Sequence, residues 1–491
     1  MTELTVREEV PDTGATGPPR TRAARSREFA RAHWVFLTLL SAGAVLRGTA
    51  MLGYRWVMWF PDSNDYLSGA VNPNPNLVRP SGYSLFLWLV KPLHSLAAVS
   101  LLQHLMGLAV AVMVYALARR AGVARGLAAL ATAPVLLDAN QVQLEHMLMS
   151  DTLFGFLVTA AVVVLLLPAA GRRGLALAAA GGLLLGLATV TRSAGLPLLA
   201  VAAFVLLVRR AGWRPLVAMA AAGVIPVVAY SSWFAADRGE FTMTRSTGVF
   251  LYGRVAPFAD CRKMDVPVEQ MALCLSSDPR DRSVRESYIW GPRAPRYRVE
   301  GTGFTPEGER LAFDFAVRAI THQPVDYAKV ALTDLGRTFR WDHPAFPDRT
   351  TYAHYLFGRR TFNPDRQAEA YVRAYDPGYA PTRATGPYAS LLGAYQKVAY
   401  LPGTVLGVIM VGGLALMVRL RRWDGLLPWT IGVVLLVVPA LTAQFDYRYV
   451  LPAAPLMCLA AVLAARPPAP GETGTRTRLP GRTGRLLASR A

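Results

Sequence analysis

The pattern of hydrophobic positions along the chain consists of long, nearly uncharged apolar runs separated by short polar segments. A helix needs about 20 mostly apolar residues to cross roughly 30 Å of hydrocarbon. Candidate spans lie near residues 34–53, 96–118, 122–138, 151–168, 174–190, 194–208, 215–235, 400–418, 426–443 and 449–465. The pattern therefore predicts an all-α polytopic membrane protein with about ten transmembrane helices.

Two features of this pattern leave the number of spans open. The third run is short, and the fifth and sixth runs could be one long helix broken near Thr189–Arg192. If they were one helix, the arginines at 209–214 would lie on the opposite side of the membrane from the other Arg-rich loops. Because Lys and Arg concentrate in cytoplasmic loops, we expect two separate spans.

The arginines predict the orientation of the helices. Alternate loops are Arg-rich, at residues 119–125, 172–173, 209–214 and 419–422. Placing these loops inside puts both termini in the cytoplasm and makes the protein a multi-pass protein of the cell membrane. Both termini are basic and too polar to pack a core, so we expect disordered tails.

The spans divide the chain into five parts. They are a basic tail at 1–32, helices 1–7 at 33–235 with a first outer loop at 54–95, an extracytoplasmic loop domain at 236–399, helices 8–10 at 400–465, and a basic tail at 466–491. The long loop is too long to be unstructured in a compact protein. Residues 306–322 and 324–340 are expected to be helical, with Pro324 in a first helical turn, so the loop domain should be mostly α.

Composition agrees with a membrane protein and excludes several other classes. Of the 491 residues, 53% are hydrophobic and 17% are charged, whereas soluble chains carry about 25% charged residues. The net charge of +20 lies in short loops and tails, which is typical of membrane topology and does not indicate nucleic-acid binding. Phosphate-binding glycine loops, nucleophile elbows and zinc motifs are missing from the sequence, so no cofactor is expected.

Two cysteines of the long loop are expected to pair. Cys261 and Cys274 lie in a segment predicted to face an oxidising compartment, where disulfides persist. The alternative is two free thiols. Cys458, within the last span, is interpreted as a buried apolar residue.

Charged residues gather at the predicted outer boundary of the membrane, where they are costly and often functional. They are Asp62, Asp65, Arg79, Glu145, His146, Asp151, Arg192, Asp446 and Arg448. Carboxylates of this kind can deprotonate an acceptor hydroxyl, and several arginines can hold a phosphate through forked hydrogen bonds. Together they suit a substrate made of a lipid tail and a phosphate.

Each of these residues also has a structural interpretation. The alternatives are a helix N-cap for Asp62, Asp65 or Asp151, a headgroup anchor for Arg79, a helix C-cap for Arg192, solvent exposure for Glu145 and His146, and a local pair with Asp446 for Arg448. The functional interpretation depends on the joint placement of the residues at one boundary.

Five short motifs, in order along residues 34–465, are similar to those of a known family. They are Asp62-Ser63-Asn64-Asp65-Tyr66, Arg79-Pro80-Ser81-Gly82-Tyr83, Ser150-Asp151-Thr152-Leu153, Thr191-Arg192-Ser193-Ala194-Gly195-Leu196 and Arg448-Tyr449-Val450-Leu451-Pro452. Their order resembles the GT-C superfamily of membrane glycosyltransferases, most of all the branch with protein O-mannosyltransferases and the lipid A aminoarabinose transferase. Many relatives have Asp-Glu at the first motif, whereas Ser63 follows Asp62 here, so the resemblance leaves open whether Asp62 or Asp65 is the base.

The resemblance implies an inverting transfer of a sugar from a polyprenyl-phosphate donor to an acceptor hydroxyl at the extracytoplasmic face of the cell membrane. Asp62 would be the base, and Arg79, Arg192 and Arg448 would bind the departing phosphate. The supporting residues would be Tyr66, Tyr83, Glu145, His146, Asp151 and Asp446. Binding of the phosphate by arginine would make a metal dispensable, although some relatives use a divalent one.

Two other functions remain as alternatives. The first is a lipid or glycolipid transporter or flippase, a class that often shows internal repeats and broken helices near mid-membrane; no such repeat is visible in the sequence. The second is a different enzyme acting on lipid phosphates. The sequence specifies neither the sugar nor the acceptor, which could be a protein, a polysaccharide, a lipid or a secreted metabolite. It does predict that membrane lipid surrounds the protein and that nucleic acid is not a partner.

Overall fold

The computed structural model describes residues 22–282, 288–291, 294–300 and 304–467. Within these residues helices dominate, and the only β pairing is two isolated bridges, Tyr54 with Ala384 and Met58 with Met147. The predicted fold class, an all-α polytopic membrane protein, is confirmed.

Residues 22–238 form eleven α-helices. In chain order they are α1 (Arg22–Gly53), α2 (Pro61–Val71), α3 (Gly82–Val90), α4 (Leu96–Arg120), α5 (Arg125–Leu130), α6 (Ala133–Leu137), α7 (Ala139–His146), α8 (Ser150–Leu166), α9 (Gly171–Thr191), α10 (Leu196–Val208) and α11 (Trp213–Arg238).

The second half forms ten more within the described residues. They are α12 (Thr247–Val255), α13 (Tyr297–Glu300), α14 (Pro306–His322), α15 (Pro324–Thr338), α16 (Arg349–Ala353), α17 (Arg366–Tyr375), α18 (Tyr388–Gln396), α19 (Gly403–Leu420), α20 (Leu426–Thr442) and α21 (Ala454–Ala464).

In the described part of the chain, six helical stretches are long and apolar enough to cross a membrane. They are Arg25–Gly53, Leu96–Arg120, Gly171–Thr191, Trp213–Arg238, Gly403–Leu420 and Tyr447–Ala464, and four shorter apolar stretches are Arg125–Leu137, Ser150–Leu166, Ser193–Val208 and Leu426–Thr442. Each of the ten predicted runs therefore coincides with one apolar helical stretch.

Helices are interrupted at the two places where the apolar pattern left the number of spans open. The third run is two helices, α5 and α6, because Pro134 lies in the first turn of α6 and has no N–H to continue the helix before it. The expected break between the fifth and sixth runs is present, since Arg192 has an extended backbone between α9 and α10. Pro197 then lies in the first turn of α10.

The start of α1 differs from the prediction. We expected a disordered tail over residues 1–32, but α1 begins at Arg22, so the expectation is wrong for 22–32. This segment is rich in Ala and Arg, which favour a helix although the segment as a whole is polar. The rest of the N-terminal tail, residues 1–21, and residues 468–491 of the C-terminal tail lie outside the described residues.

Helices α9 and α11 pack backbone against backbone through glycine. A Cβ atom on Gly182 would collide with the carbonyl oxygen of Met219, and one on Gly186 would collide with that of Gly223. Small residues permit such close approach between membrane helices. This packing fixes the end of α9, and with it Arg192.

The long loop has its own apolar core, which contains Tyr252, Phe315 and Ala316. The two helices expected at 306–322 and 324–340 are confirmed as α14 and α15, with Pro324 in the first turn of α15. Cys261 and Cys274 are joined by a disulfide beside this core.

One buried ion pair connects this loop to the end of the helix bundle. The Arg254 guanidinium of α12 donates to Asp334 of α15, and both side chains are about 1% exposed. Arg254 also donates to the carbonyl of Ala443 (3.2 Å), and Asp334 accepts the N–H of Phe445 (3.1 Å). The pair therefore holds the backbone immediately before Asp446.

Candidate functional site

Helix α2 carries two of the predicted carboxylates on one face. Its first residue is Pro61, and the Ser63 hydroxyl oxygen accepts the N–H of Phe60 (3.0 Å) while donating to the carbonyl of Leu148 (2.9 Å). Ser63 is the residue at which this chain differs from the family that it resembles, and here it anchors the start of α2. Because residues three apart share a helix face, Asp62 and Asp65 point to the same partner.

That partner is Arg79. One terminal nitrogen donates to Asp62 Oδ1 and the other to Asp65 Oδ2, both at 2.6 Å. The turn before Arg79 is fixed by Asn76, whose side-chain oxygen accepts the N–H of Arg79 (3.1 Å). The Asp62 side chain is 12% exposed and that of Asp65 49% exposed, so Arg79 joins an inner carboxylate to an outer one.

The second oxygen of Asp62 faces an arginine 386 positions away in sequence. Arg448 Nη1 lies 3.3 Å from Asp62 Oδ2, and Arg448 Nε lies 3.1 Å from Asp446 Oδ2. Tyr355 of the long loop donates its hydroxyl to Asp446 (2.8 Å). Asp62 is therefore bracketed by two guanidinium groups that come from opposite ends of the chain.

Arg192 forms the third cationic group of the cluster. It is paired with Asp151 at the start of α8, and its guanidinium lies 5.1 Å from the centre of the Tyr449 ring. Arg192 Nη1 is 3.5 Å from Ser150 Oγ, which in turn is 2.9 Å from the Tyr66 hydroxyl. Arg192 is thus joined to α2 through two hydroxyl groups and makes no ion pair with Asp62.

The two carboxylates of α2 have pKa values shifted in opposite directions. Burial raises the pKa of Asp62, but the Arg79 and Arg448 charges oppose it and hold that pKa below its usual range. Burial, with help from the Asp62 charge, raises the pKa of Asp65 above its usual range although Arg79 opposes this. Asp62 is therefore the more firmly ionised group, and Asp65 the more easily protonated one.

The cluster already balances most of its own charge. Four carboxylates (Asp62, Asp65, Asp151 and Asp446) contact three guanidinium groups (Arg79, Arg192 and Arg448). Burial raises the pKa of Asp446 even though Arg448 opposes this. Each of the three arginines already has a carboxylate partner, so a phosphate that enters this site would compete with these carboxylates for the guanidinium groups.

The structure places Glu145 and His146 in a different, fully buried cluster. Glu145 accepts from Arg47 Nη2 (2.7 Å) and lies 3.0 Å from His104 Nδ1. His146 lies 3.0 Å from the other His104 nitrogen and donates to the carbonyl of Tyr54 (2.6 Å). The alternative that both residues are solvated is wrong, since both are buried. The cluster ties α1, α4 and α7 together and shares no ion pair with Asp62.

Tyr83 supports the site from within. Its hydroxyl donates to Gln103 (2.7 Å), and its ring meets that of Tyr66 edge-on, with centroids 4.9 Å apart. Gln103 also donates to the carbonyls of Glu145 and Met147. Tyr83 therefore connects the two polar clusters through its contact with Tyr66.

Sequence reasoning missed several residues of these clusters. The sequence does carry a signal for Arg47, because an ionisable residue inside an apolar run is costly in a membrane and therefore suggests a functional or structural role. His104 lies in the next run and carries the same signal. Tyr355 had none, since nothing local distinguishes it from the other tyrosines of the long loop.

No arrangement for a metal ion is found in the described part of the chain, where no three His, Cys, Asp or Glu side chains are grouped suitably. The Asp62 cluster itself offers four carboxylates, three guanidinium groups and tyrosine hydroxyls.

Comparison with known proteins gives little further information. The chain matches no protein-family model, and no curated protein sequence matches it. Among solved structures it is similar to the archaeal oligosaccharyltransferase AglB from Archaeoglobus fulgidus, which was solved in complex with an inhibitory peptide and a dolichol-phosphate; the identity is 12% and the TM-score 0.37. The match covers 89% of this chain and 50% of AglB, so the chain spans about half the length of that protein. This likeness is too distant to support a functional argument, which therefore rests on the geometry of the Asp62 cluster.

Proposed function

We propose that this protein is an integral membrane glycosyltransferase of the GT-C type. In this proposal it moves a hexose or pentose from a polyprenyl-phosphate donor to an acceptor hydroxyl, with inversion, at the outer face of the cell membrane. The observation that supports it best is the bracketing of Asp62 by Arg79 and Arg448, with Arg192 beside them. The five motifs that resemble the mannosyltransferase and aminoarabinose transferase branch supply the charged residues of this cluster apart from Asp446, which lies two positions before the last motif.

Asp62 is the proposed base. It is held by two partners from distant segments, whereas Asp65 is half exposed and contacts only the Arg79 end of the cluster. The pKa of Asp62 is held low while both arginines bind it, which guarantees the ionised form but weakens the base. A donor phosphate that attracts Arg79 or Arg448 would release Asp62 and raise its pKa when the acceptor must lose its proton.

Arg192 is the proposed primary phosphate ligand. In an inverting displacement the attacking and leaving oxygens lie on opposite sides of the anomeric carbon, so the arginines that hold the base cannot all hold the phosphate as well. Arg192 is paired with Asp151 and not with Asp62, and its position is fixed by the α9–α10 break. It can stabilise the charge that develops on the leaving phosphate, with Arg448 moving between the two partners.

The proposed step is a single displacement. The acceptor oxygen gives its proton to the Asp62 carboxylate and forms a bond to the anomeric carbon. The bond from that carbon to the phosphate oxygen breaks, and its electron pair leaves with the lipid phosphate. No cofactor enters this balance, and the products are an inverted glycoside and a polyprenyl phosphate.

The test is transfer by the full-length protein in liposomes, with a panel of labelled polyprenyl-phosphate sugars and acceptor fractions from the cell surface. We expect Asp62→Asn to lose transfer at least about a hundredfold, within the range for loss of a general base. Asp65→Asn should lose less. Asp314→Asn serves as the matched control, because this carboxylate lies on the surface of α14 and pairs only with Arg310.

Full activity of the Asp62→Asn variant would contradict the assignment of the base. Movement of a labelled donor across the bilayer without any transfer would instead support a transporter or flippase.

A further inference from the structure

The start of α1 is a short basic segment that is joined to the apolar remainder of the helix at a kink. The backbone of His33 is not helical (φ −117°, ψ 18°), so α1 consists of residues 22–32 and residues 34–53. The first part has a single acidic residue, Glu28. Its four arginines are all exposed: Arg22, Arg25, Arg27 and Arg31. The basic part is therefore a separate surface segment and not only the frayed end of an apolar span.

Arginines from the connection between α4 and α5 lie beside this segment. His33 Nδ1 is 2.6 Å from the Tyr115 hydroxyl of α4, and Arg119 follows Tyr115 by one helical turn. Arg119 and Arg125 are both near enough to His33 to interact with it electrostatically. The two stretches therefore form one cationic surface, named here the basic end of α1, which contains the four arginines above together with Arg119, Arg120 and Arg125.

The positive charge of the basic end of α1 is almost uncompensated. Within the described residues none of its seven arginines forms an ion pair with a carboxylate. Another Arg-rich end of the bundle differs, because Arg209 and Arg466 both pair with Asp424 there. Membrane orientation alone explains some arginines in a loop, but the other Arg-rich loops carry only two or three. The guanidinium groups of this surface are thus available to bind phosphate through forked hydrogen bonds.

Two aromatic side chains indicate that this surface lies at a membrane boundary. Phe29 and Trp34, on either side of the kink, are both exposed, and tryptophan concentrates where membrane helices pass from hydrocarbon to headgroups. Trp34 and Gly53 are 19 positions apart on α1. At 1.5 Å per residue this is roughly 28 Å, which is about the thickness of the hydrocarbon layer. The basic end of α1 therefore lies at the membrane boundary opposite the Asp62 cluster, which follows Gly53 in the chain.

We propose that the basic end of α1 binds the headgroups of anionic phospholipids at the membrane face opposite the Asp62 cluster, which is the predicted cytoplasmic face. Clusters of about four to eight basic residues next to a membrane span are typical of such sites. A soluble phosphate compound would present the same charge to the arginines. Lipid is favoured because the surface continues directly into a membrane helix and because Phe29 and Trp34 are exposed beside it. The site does not depend on the function proposed for the Asp62 cluster.

The test measures binding of phosphatidylglycerol, phosphatidylcholine and soluble glycerol phosphate to the full-length protein in neutral detergent, by native mass spectrometry. We expect phosphatidylglycerol to bind most tightly. The double variant Arg27→Gln with Arg31→Gln should bind it about 25-fold more weakly, since each arginine near an anionic surface contributes roughly fivefold. Arg172→Gln with Arg173→Gln removes two exposed arginines of a different loop and is the matched control, with affinity close to that of the wild type. Thermal unfolding without added lipid checks that both variants are folded.

Three results would overturn the lipid site. The first is equal binding of phosphatidylcholine and phosphatidylglycerol, which would show that the headgroup charge is not recognised. The second is an Arg27 and Arg31 double variant that binds phosphatidylglycerol as the wild type does, or no more weakly than the matched control. The third is glycerol phosphate binding as tightly as phosphatidylglycerol, which would assign the surface to a soluble anion. None of these results depends on whether the Asp62 cluster transfers a sugar.

Discussion

The Asp62 carboxylate neutralises two arginines that have little access to water, which gives it a structural role as well as a proposed chemical one. Replacing it with Asn leaves Arg79 with Asp65 and Arg448 with Asp446. Removing one partner of a buried pair costs about 3–5 kcal/mol; because both arginines keep a second carboxylate, we expect a smaller loss of about 2 kcal/mol at neutral pH.

The pH dependence of this effect has a definite sign. The folded-state pKa of Asp62 is below its ordinary value, so its contribution to stability is present above about pH 4. It is lost as the pH falls through the folded-state pKa. Thermal unfolding of the wild type and Asp62→Asn in detergent should therefore differ at pH 7, and the difference should narrow as the pH falls below about 4. A difference that grows on acidification would contradict the assignment.

At the scale of single residues, the sequence indicated which charged residues are candidates for the site but not which partners they contact. Asp62, Arg79, Arg192 and Arg448 were identifiable because ionisable side chains at the edge of apolar runs are costly. Their pairing across 386 positions leaves no local pattern, and neither does the contact of Tyr355 with Asp446. Glu145 appeared exposed because its partner, Arg47, lies in another helix.

At the scale of helices, the contact of α9 with α11 depends on the absence of side chains. Gly182→Ala should destabilise the protein, because the new methyl group meets the Met219 carbonyl and two backbones must separate. Gly412→Ala is the matched control, since a Cβ there has no atom within 4 Å and alanine favours helix by about 1 kcal/mol. Thermal unfolding should show a clear loss for the first and no loss for the second; equal behaviour would show that the α9–α11 contact is loose.

The pair of Arg47 and Glu145 joins α1 to α7 within a buried environment. Arg47→Met should cost about 3–5 kcal/mol, because it leaves the Glu145 charge without its principal partner. The double variant Arg47→Met with Glu145→Leu should lose less than the sum of the single variants, which chemical unfolding in detergent can measure as a double-mutant cycle. Additive losses would mean that the two side chains act independently.

Helix positions were more predictable than helix ends. The apolar runs located the helices because burial in lipid requires continuous hydrophobicity. Pro134 and Pro197 lie in the first turns of α6 and α10 and are local signals for these two helix starts, which the predicted apolar runs did not use. The start of α1 at Arg22 was missed because the helix preference of Ala and Arg there is independent of hydrophobicity.

At the scale of the whole molecule, the orientation in the membrane stays a prediction from the arginine-rich loops. Single cysteines can be introduced at exposed Glu307, in the long loop, and at exposed Arg172, in the first turn of α9. The background would be Cys458→Ala, which removes the one free native thiol of the described chain. In intact cells a membrane-impermeant maleimide should label Glu307→Cys but not Arg172→Cys, and lysis should make both accessible. The reverse pattern would invert the topology.

The distance in sequence between Asp62 and Arg448 has a consequence in time. A ribosome adds about 5–20 residues per second, so the 386 positions between them represent roughly 20–80 s of synthesis. Of the two arginine partners of Asp62, only Arg79 has been made during that interval, and Arg254 and Asp334 cannot yet hold the backbone before Asp446. A partly inserted chain thus has an incomplete site, and a lipid phosphate can meet both Arg192 and Arg448 only after the chain has been synthesised past Arg448.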